Sequence, residues 1–429
     1  MTGLGVAAPA ATEARRRRGG LWWHRDFRLL WIGQTTSKFG SSVTNIALPL
    51  IAVATLHAST FQVALLTAAS WLPWLFVGLP AGAWVDRLPR RPVMITCDLL
   101  CLLLFVSVPV AAWFGVLTIG QLLAVALGAG TASVFFQTAY QVYLPSLLDR
   151  SELPEGNAKV AGTESAAQLA GPGLAGLIAQ LAGAVNALLV DAVSFGVSAL
   201  CLLRIRKPEP RPERRRPEST LRAEIGAGVR FVARDPYLLV LTVFGAVSNI
   251  GLMGYQAILV VFLVREVGVG PGVVGLLVAG TSVGGIIGAS VSTALARRFG
   301  TARTLVYAEL FAAPFGLLIP LTGPGPRLAL MVVGGVAISA GVAIGNVVKS
   351  SFRQTYPPPR LLGRVTVSMQ LLNYGTIPLG ALLGGALGTA LGLRDAMWVI
   401  TAGLALTGLI LLVGPLSRSR DLPAGPAPR

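Results

Sequence analysis

The sequence predicts an all-α membrane protein of twelve transmembrane helices in two pseudo-symmetric six-helix bundles. Three observations carry that expectation: an apolar composition, twelve apolar runs of spanning length, and a basic turn that recurs in each half. Of the 429 residues, 54% are hydrophobic and 12% charged, and the mean hydropathy is +0.70. A soluble domain carries more polar surface than this, so the bulk of the chain has to lie in hydrocarbon.

A helical span takes roughly 20 apolar residues to cross about 30 Å of hydrocarbon. Twelve segments qualify, near Leu29 to Leu56, Gln62 to Val85, Val93 to Phe114, Ile119 to Leu144, Val160 to Gln180, Val185 to Leu203, Leu238 to Leu263, Val273 to Leu295, Leu305 to Leu321, Leu328 to Val348, Val365 to Leu391 and Met397 to Leu416. Between the sixth and the seventh, Arg204 to Pro236 holds ten basic residues and five prolines. The chain therefore divides into an N-terminal tail (1–28), a first bundle (29–204), a linker (205–236), a second bundle (237–417) and a C-terminal tail (418–429). The linker begins as an extended, proline-rich stretch. From Thr220 to Arg234 the pattern changes, with Leu221, Ile225, Val229 and Val232 recurring at helical spacing, as in an amphipathic helix lying along the inner membrane face.

A net charge of +17 would suit a nucleic-acid partner, but its distribution does not. With both termini cytoplasmic, 31 of the 35 Lys and Arg fall on that side; Arg265, Arg327 and Arg394 lie opposite and Lys38 lies inside the first helix. This is a positive-inside bias. It predicts a multi-pass cell-membrane protein with lipids for surroundings and no nucleic acid. Arg15 to Arg18 read as a lipid-facing, orienting cluster on a disordered tail. Residues 1–20 hold no apolar core of signal-peptide length.

Chemistry of other kinds finds no footing. Cys97, Cys101 and Cys201 fall inside the expected helices, and no histidine stands near them to complete a zinc set. His24 and His57 are too far apart in sequence to suggest a joint site, and no G-x-x-x-x-G-K-[ST] run offers an ATP site. We expect no catalytic residue, no metal and no cofactor.

The most informative stretch is Gly82-Ala-Trp-Val-Asp-Arg-Leu-Pro-Arg-Arg91, one acid and three arginines in a turn between two apolar runs. Its counterpart in the second half, Ala296-Arg-Arg-Phe-Gly-Thr-Ala-Arg303, keeps the basic turn but has Arg297 where the first has Asp86. A second pair of copies joins Ala170-Gly-Pro-Gly-Leu-Ala-Gly176 of the fifth helix to the segment Gly375 to Gly385 of the eleventh, with Pro172 opposite Pro378. Duplicated halves of this kind place a site near the bilayer midplane between repeats.

The spacing G-x-x-x-D-R-x-x-R-R resembles the loop between helices 2 and 3 of the major facilitator superfamily, with Pro89 where the usual pattern has glycine. Phe27-Arg-Leu-Leu-Trp-Ile-Gly-Gln34, Asp191-Ala-Val-Ser-Phe195 and Leu362-Gly-Arg-Val365 are similar to the exporter branch that contains the enterobactin exporter and bacterial drug efflux proteins. Gly171-Pro172 resembles the glycine-proline motif of antiporters, shortened by Ala167 and Ala175 where glycines often stand. The resemblance covers nearly the whole chain. It implies a monomeric secondary transporter that exports a drug, siderophore or other amphipathic natural product by proton antiport with alternating access, using the proton gradient and no cofactor. It also implies a gating role for Gly82, Asp86, Arg87, Arg90 and Arg91, and a helix bend at Gly171, Pro172, Gly176 and Pro378. Import of a small nutrient, or sensing without transport, remain as alternatives.

Ionisable groups inside the spans are the sharper signal, since each costs about 2.5 to 3.5 kcal/mol at a helix centre and needs a partner or a wet cavity. Glu164, Asp191, Asp98 and Glu309 are the candidates for proton coupling, because a carboxylate in low dielectric exchanges protons near neutral pH. Asp98 and Glu309 also lie close enough to the basic turns to pair with Arg90, Arg91, Arg298 or Arg303. Lys38 would attract an anionic ligand or neutralise Asp191. Amide and aromatic groups suited to a bulky amphipathic substrate are Asn45, Phe135, Gln137, Tyr140, Gln168, Asn249, Tyr255, Gln256, Asn346, Gln370, Asn373 and Tyr374, with Lys38 among them. Glycine clusters in the eighth, tenth and eleventh helices suit close packing, or seams on which the halves rock.

Overall fold

The computed structural model describes residues 20–85, 87–149, 151–209, 221–358, 361–423 and 425. Asp86, the Arg15 to Arg18 cluster and the proline-rich residues 210–220 lie outside the described residues. Among those described there are helices and no strand. In chain order they are α1 (Arg25–Leu50), α2 (Thr60–Phe76), α3 (Gly78–Val85), α4 (Arg90–Trp113), α5 (Ile119–Leu147), α6 (Leu153–Ala182), α7 (Ala184–Arg204), α8 (Leu221–Arg234), α9 (Pro236–Val261), α10 (Pro271–Phe299), α11 (Thr301–Ala312), α12 (Leu328–Thr355), α13 (Leu362–Ala390) and α14 (Leu393–Thr407).

Eight of these helices are long and apolar enough to cross a membrane: α4, α5, α7, α9, α10, α12, α13 and α14. The chain is thus an integral membrane protein. The apolar α2 is shorter, and α1, α6 and α11 fall outside the set. In α1 and α6 the reason is polar content, for they carry Lys38, Glu164 and several Ser, Thr and Gln residues.

Local chemistry fixes where helices begin. At α1 the His24 ring nitrogen accepts the Phe27 N–H at 3.1 Å. Ser59 and Gln62 cap α2 reciprocally, and Asp235 accepts the N–H groups of Tyr237 and Leu238 at the start of α9. Several helices outrun the apolar stretch that predicts them: α1 starts at Arg25, α6 at Leu153, and α12 continues to Thr355. Hydropathy marks the hydrocarbon slab, whereas a helix continues through its charged end turns into the headgroup layer. Both α1 and α9 run on into a π turn, over Ile51–Thr55 and Phe262–Glu266.

Among the first helices, α1 packs on α6 and α7, α4 lies between α5 and α7, and α2 lies on α5. Among the later ones, α9 packs on α13 and α14, and α12 on α10 and α11. Two seams join these sets, α2 with α13 and α6 with α10. Small residues set the approach: Gly284 and Gly288 of α10 face the carbonyls of Val336 and Ala340 on α12, and Gly380 and Gly384 of α13 lie against Ile250 and Gly254 on α9.

At one end of the molecule Lys207 bridges Asp26 and the Leu147 carbonyl. Here residues 20–23 form a 3-10 turn docked on α6, where Glu155 accepts the Leu21 N–H and Lys159 stacks over Trp22, so that helical structure is present before the expected span. The linker helix α8 forms where the spacing predicts it and packs on α13, with Gly228 against the Arg364 carbonyl. At the opposite end two of the three outlying arginines behave differently. Arg265 donates to the Ala58 carbonyl at 2.7 Å, joining the two π-turn regions, and Arg394 holds Glu266 and the carbonyls of Pro320 and Thr322.

Candidate functional site

A cavity of about 460 Å³ opens among α9, α11, α12, α13 and α14, within the size range of small-molecule sites. Five of the predicted cavity residues meet in it: Asn249, Asn346, Gln370, Asn373 and Tyr374. The Asn249 amide donates to the Asn373 carbonyl at 3.2 Å, and the Asn373 amide to that of Met369 at 2.8 Å, so the polar wall is held in a fixed orientation. Apolar Leu241, Leu252, Ile338 and Leu404 complete the lining. Tyr374 reaches across to the first half, its ring 5.7 Å from that of Trp74 and 6.2 Å from that of Trp71.

Other predicted cavity residues lie elsewhere. Tyr255 is buried in the core further along α9, and Gln256 beside it is exposed. Phe135 stacks on Trp84 at 5.9 Å, Tyr140 packs on Phe136, Gln137 is half-buried, and Asn45 and Gln168 are exposed on α1 and α6. The sequence reading left out Lys349 and Arg353, which also line the cavity. Ending the tenth span at Val348 puts both in a loop. With α12 continuous to Thr355, Asn346, Lys349 and Arg353 share one helix face at spacings of three and four.

Glu309 is 8% exposed and faces the same cavity. A Cβ at Gly345 would stand 2.9 Å from its Oε1 and 3.6 Å from Cε of Lys349, so this glycine lets carboxylate and ammonium approach over the bare surface of α12. No ion pair joins Glu309 to Arg298 or Arg303 among the described residues.

In the first half, Lys38 pairs with Glu164 rather than with Asp191, at 2.9 Å, although 126 residues separate them. Both side chains are partly exposed, at 28% and 47%. Asp191 is 1% exposed and accepts the hydroxyls of Thr44 at 2.5 Å and Ser194 at 3.0 Å. Asp98 is equally buried and lies beside Ser198; its Oδ2, the Ser198 hydroxyl and the Gln34 amide nitrogen have no partner among the described residues. Gly171 brings α6 against Ser42 of α1. Gly176, one turn past Pro172, meets Gly275 of α10 with Cα 2.7 Å from where its Cβ would be. The glycine-proline segment thus sits where α6 crosses both α1 and α10, and Pro378 lies inside α13 on the other seam.

The arginines of the charged turn are occupied by the linker. Glu209 accepts the backbone N–H groups of Arg90 at 2.7 Å and Arg91 at 3.2 Å, and its carboxylate lies 3.6 Å from the Arg90 guanidinium. An anion at the start of α4 meets both orphan N–H groups and the positive end of the helix dipole. The Arg91 guanidinium donates to the carbonyls of Leu202 and Leu203 at the end of α7. These contacts take the place of the expected pairing of Arg90 or Arg91 with Asp98. Arg87 is exposed, and Gly82 faces open space.

A family profile described as transmembrane secretion effector matches residues 22–425. The multidrug efflux pump Tap of Mycolicibacterium fortuitum is 30% identical over 410 residues, covering 93% of this chain and 98% of that protein. Among solved structures, a bacterial homologue of the iron transporter ferroportin in an inward-facing state aligns with a TM-score of 0.72 at 16% identity, covering 91% of this chain and 98% of its own. The nucleoside transporter NupG aligns with a TM-score of 0.71 at 11% identity, covering 92% and 99%. With a profile match across nearly its whole length and a relative aligned end to end, the chain belongs to the transmembrane secretion effector family of the major facilitator superfamily and is a membrane transporter, not an enzyme.

Proposed function

We propose that this protein exports amphipathic small molecules, a drug, siderophore or other natural product, across the cell membrane in exchange for protons. In this reading twelve spans form two six-helix bundles over 29–204 and 237–417, joined by the 205–236 linker, with both termini cytoplasmic and the monomer as the working unit. Export is supported by the relative named as a multidrug efflux pump. The observation that carries proton exchange is the Lys38–Glu164 pair, a carboxylate that is held at 2.9 Å and still partly exposed within a polar seam of an apolar bundle. Protonation of Glu164 releases Lys38 and loosens α1 from α6 at the bend formed by Gly171 and Pro172. The two glycine seams, α6 with α10 and α2 with α13, then act as the surfaces on which the bundles rock. Asp86, Arg87, Arg90 and Arg91 serve as the gating group at the cytoplasmic end.

The test is transport in proteoliposomes under an imposed pH gradient, using a panel of neutral lipophilic antibiotics and siderophores with protein-free liposomes as the blank. Antiport drives a compound into the acidic compartment and stops when the gradient is collapsed. Movement into the alkaline compartment would identify an importer, and gradient-independent binding without counterflow a sensor.

A further inference from the structure

The wall of the 460 Å³ cavity is not electrically neutral. Lys349 and Arg353 face it from α12 and Glu309 from α11; apart from these and Tyr374, its lining holds no titratable side chain among the described residues. One positive charge is thus in excess in a wall otherwise made of amides, hydroxyls and apolar groups. Glu309 offsets part of the charge across Gly345, but no ion pair within hydrogen-bond reach ties it to Lys349 among the described residues. The Lys349 ammonium instead lies 5.1 Å from the Phe244 ring centre, a contact that leaves its donors open to a ligand. Lys38 is in a different state, because Glu164 already occupies it.

An uncompensated charge in an apolar setting is costly, and an anion of matching size relieves that cost. Opposite the cations, Asn249, Asn373 and Gln370 present hydrogen-bonding groups, and the ring of Tyr374 offers a flat apolar face. We propose that this cavity selects amphipathic ligands that carry a carboxylate, held by Lys349 with Arg353 beside it, and that Glu309 is the resting counter-charge that sets their affinity. The inference rests on the transporter reading above and names its substrate class. Recognition then belongs to the second half of the chain, and proton handling to Lys38 and Glu164 in the first.

Rhodamine 110 and its methyl ester, rhodamine 123, share one ring system and differ in the free carboxylate, so their affinity ratio reads the carboxylate alone. Binding is measured by fluorescence anisotropy on the full chain in phosphatidylcholine nanodiscs, which carry no anionic headgroup, with empty nanodiscs as the blank. Hydrogen bonds to charged groups are worth about 1.5 to 3 kcal/mol, so the wild-type protein should prefer rhodamine 110 by about tenfold or more. Lys349→Gln should bring the ratio close to one, Lys349→Arg should keep it, and Arg353→Gln should lower it partway. Glu309→Gln should raise the preference for rhodamine 110 over rhodamine 123 severalfold. A ratio near one in the wild type, a preference for rhodamine 123, no saturable rhodamine 110 binding, or a ratio unmoved by both Lys349→Gln and Arg353→Gln would overturn the proposal. If Lys349→Gln does not fold, the Arg353→Gln and Glu309→Gln ratios decide it. No gradient is imposed, so a failure here leaves the proton-exchange reading standing, and uncoupled transport in proteoliposomes would leave the binding ratios intact.

Discussion

Lys38 and Glu164 make an ion pair whose members are 28% and 47% exposed. Where water reaches it, a pair this exposed contributes about 0 to 1 kcal/mol to stability, which is less than the cost of placing either charge deep in a membrane. The pair is therefore better explained by what it does than by what it stabilises. Glu164→Gln should cost under about 1 kcal/mol of stability while abolishing gradient-driven transport and retaining equilibrium binding; a thermal shift assay beside proteoliposome transport measures both. Full gradient-driven transport by this variant would move the coupling role to Asp191. Asp191 is buried and accepts two hydroxyls, so Asp191→Asn should lower the melting temperature more than Glu164→Gln does. Both acids were legible as intramembrane charges. Their partners were not, because a contact across 126 residues leaves no trace in local spacing. Lys349 was hidden for the opposite reason: a helix end misplaced by seven residues moves a cavity lysine into a loop.

At the scale of elements, the first residues of the linker act as a clasp. Asp26 accepts the N–H of Lys207 at 2.9 Å, Lys207 reaches the Leu147 carbonyl at 3.0 Å, and Glu209 caps α4. Glu209→Ala should cost about 0.5 to 2 kcal/mol, as the loss of a helix cap does. Hydrogen exchange should then quicken at the amides of Arg90 and Arg91 with little change in α5, whereas unchanged exchange at Arg90 would show that water caps α4 equally well. Helical spacing foretold α8, whose sequence differs sharply from the apolar run that follows it. The clasp was not foretold, because a glutamate among prolines and arginines reads as one more solvated charge. The break between α2 and α3 near Val77 and the paired π turns were equally silent, because hydropathy does not register a change of helical pitch or a break within an apolar run.

For the whole molecule, two seams join the two sets of helices, α2 with α13 and α6 with α10. A Cβ at Gly173 would stand 3.6 Å from that of Ala279, which suits a disulfide between α6 and α10. With the half-buried Cys201 replaced by serine, the Gly173→Cys, Ala279→Cys double variant should bind ligand when oxidised and lose transport by at least about tenfold, if rocking at this seam is the motion that a covalent link forbids. Reductant should restore it. Transport that is equal in the oxidised and reduced forms would mean that α6 and α10 stay together throughout the cycle. The sequence reading set Pro172 opposite Pro378, and the structure places each proline on a helix of one of the two seams, α6 and α13.

The polarity of α1 also bears on how the protein is made. Among the described residues it is the first long helix in chain order, yet it falls outside the eight that length and apolarity alone would commit to a membrane. Lys38 has to wait for Glu164, and Thr44 for Asp191, before the side chains that match them exist. At roughly 5 to 20 residues per second, synthesis of the 126 residues between Lys38 and Glu164 takes about 6 to 25 seconds. During that interval α1 needs shelter from the insertion machinery or a position at the lipid surface. Biogenesis, more than folding in place, is then the step at which substitutions in α6 and α7 would first be felt, as α1 left on the wrong side of the bilayer.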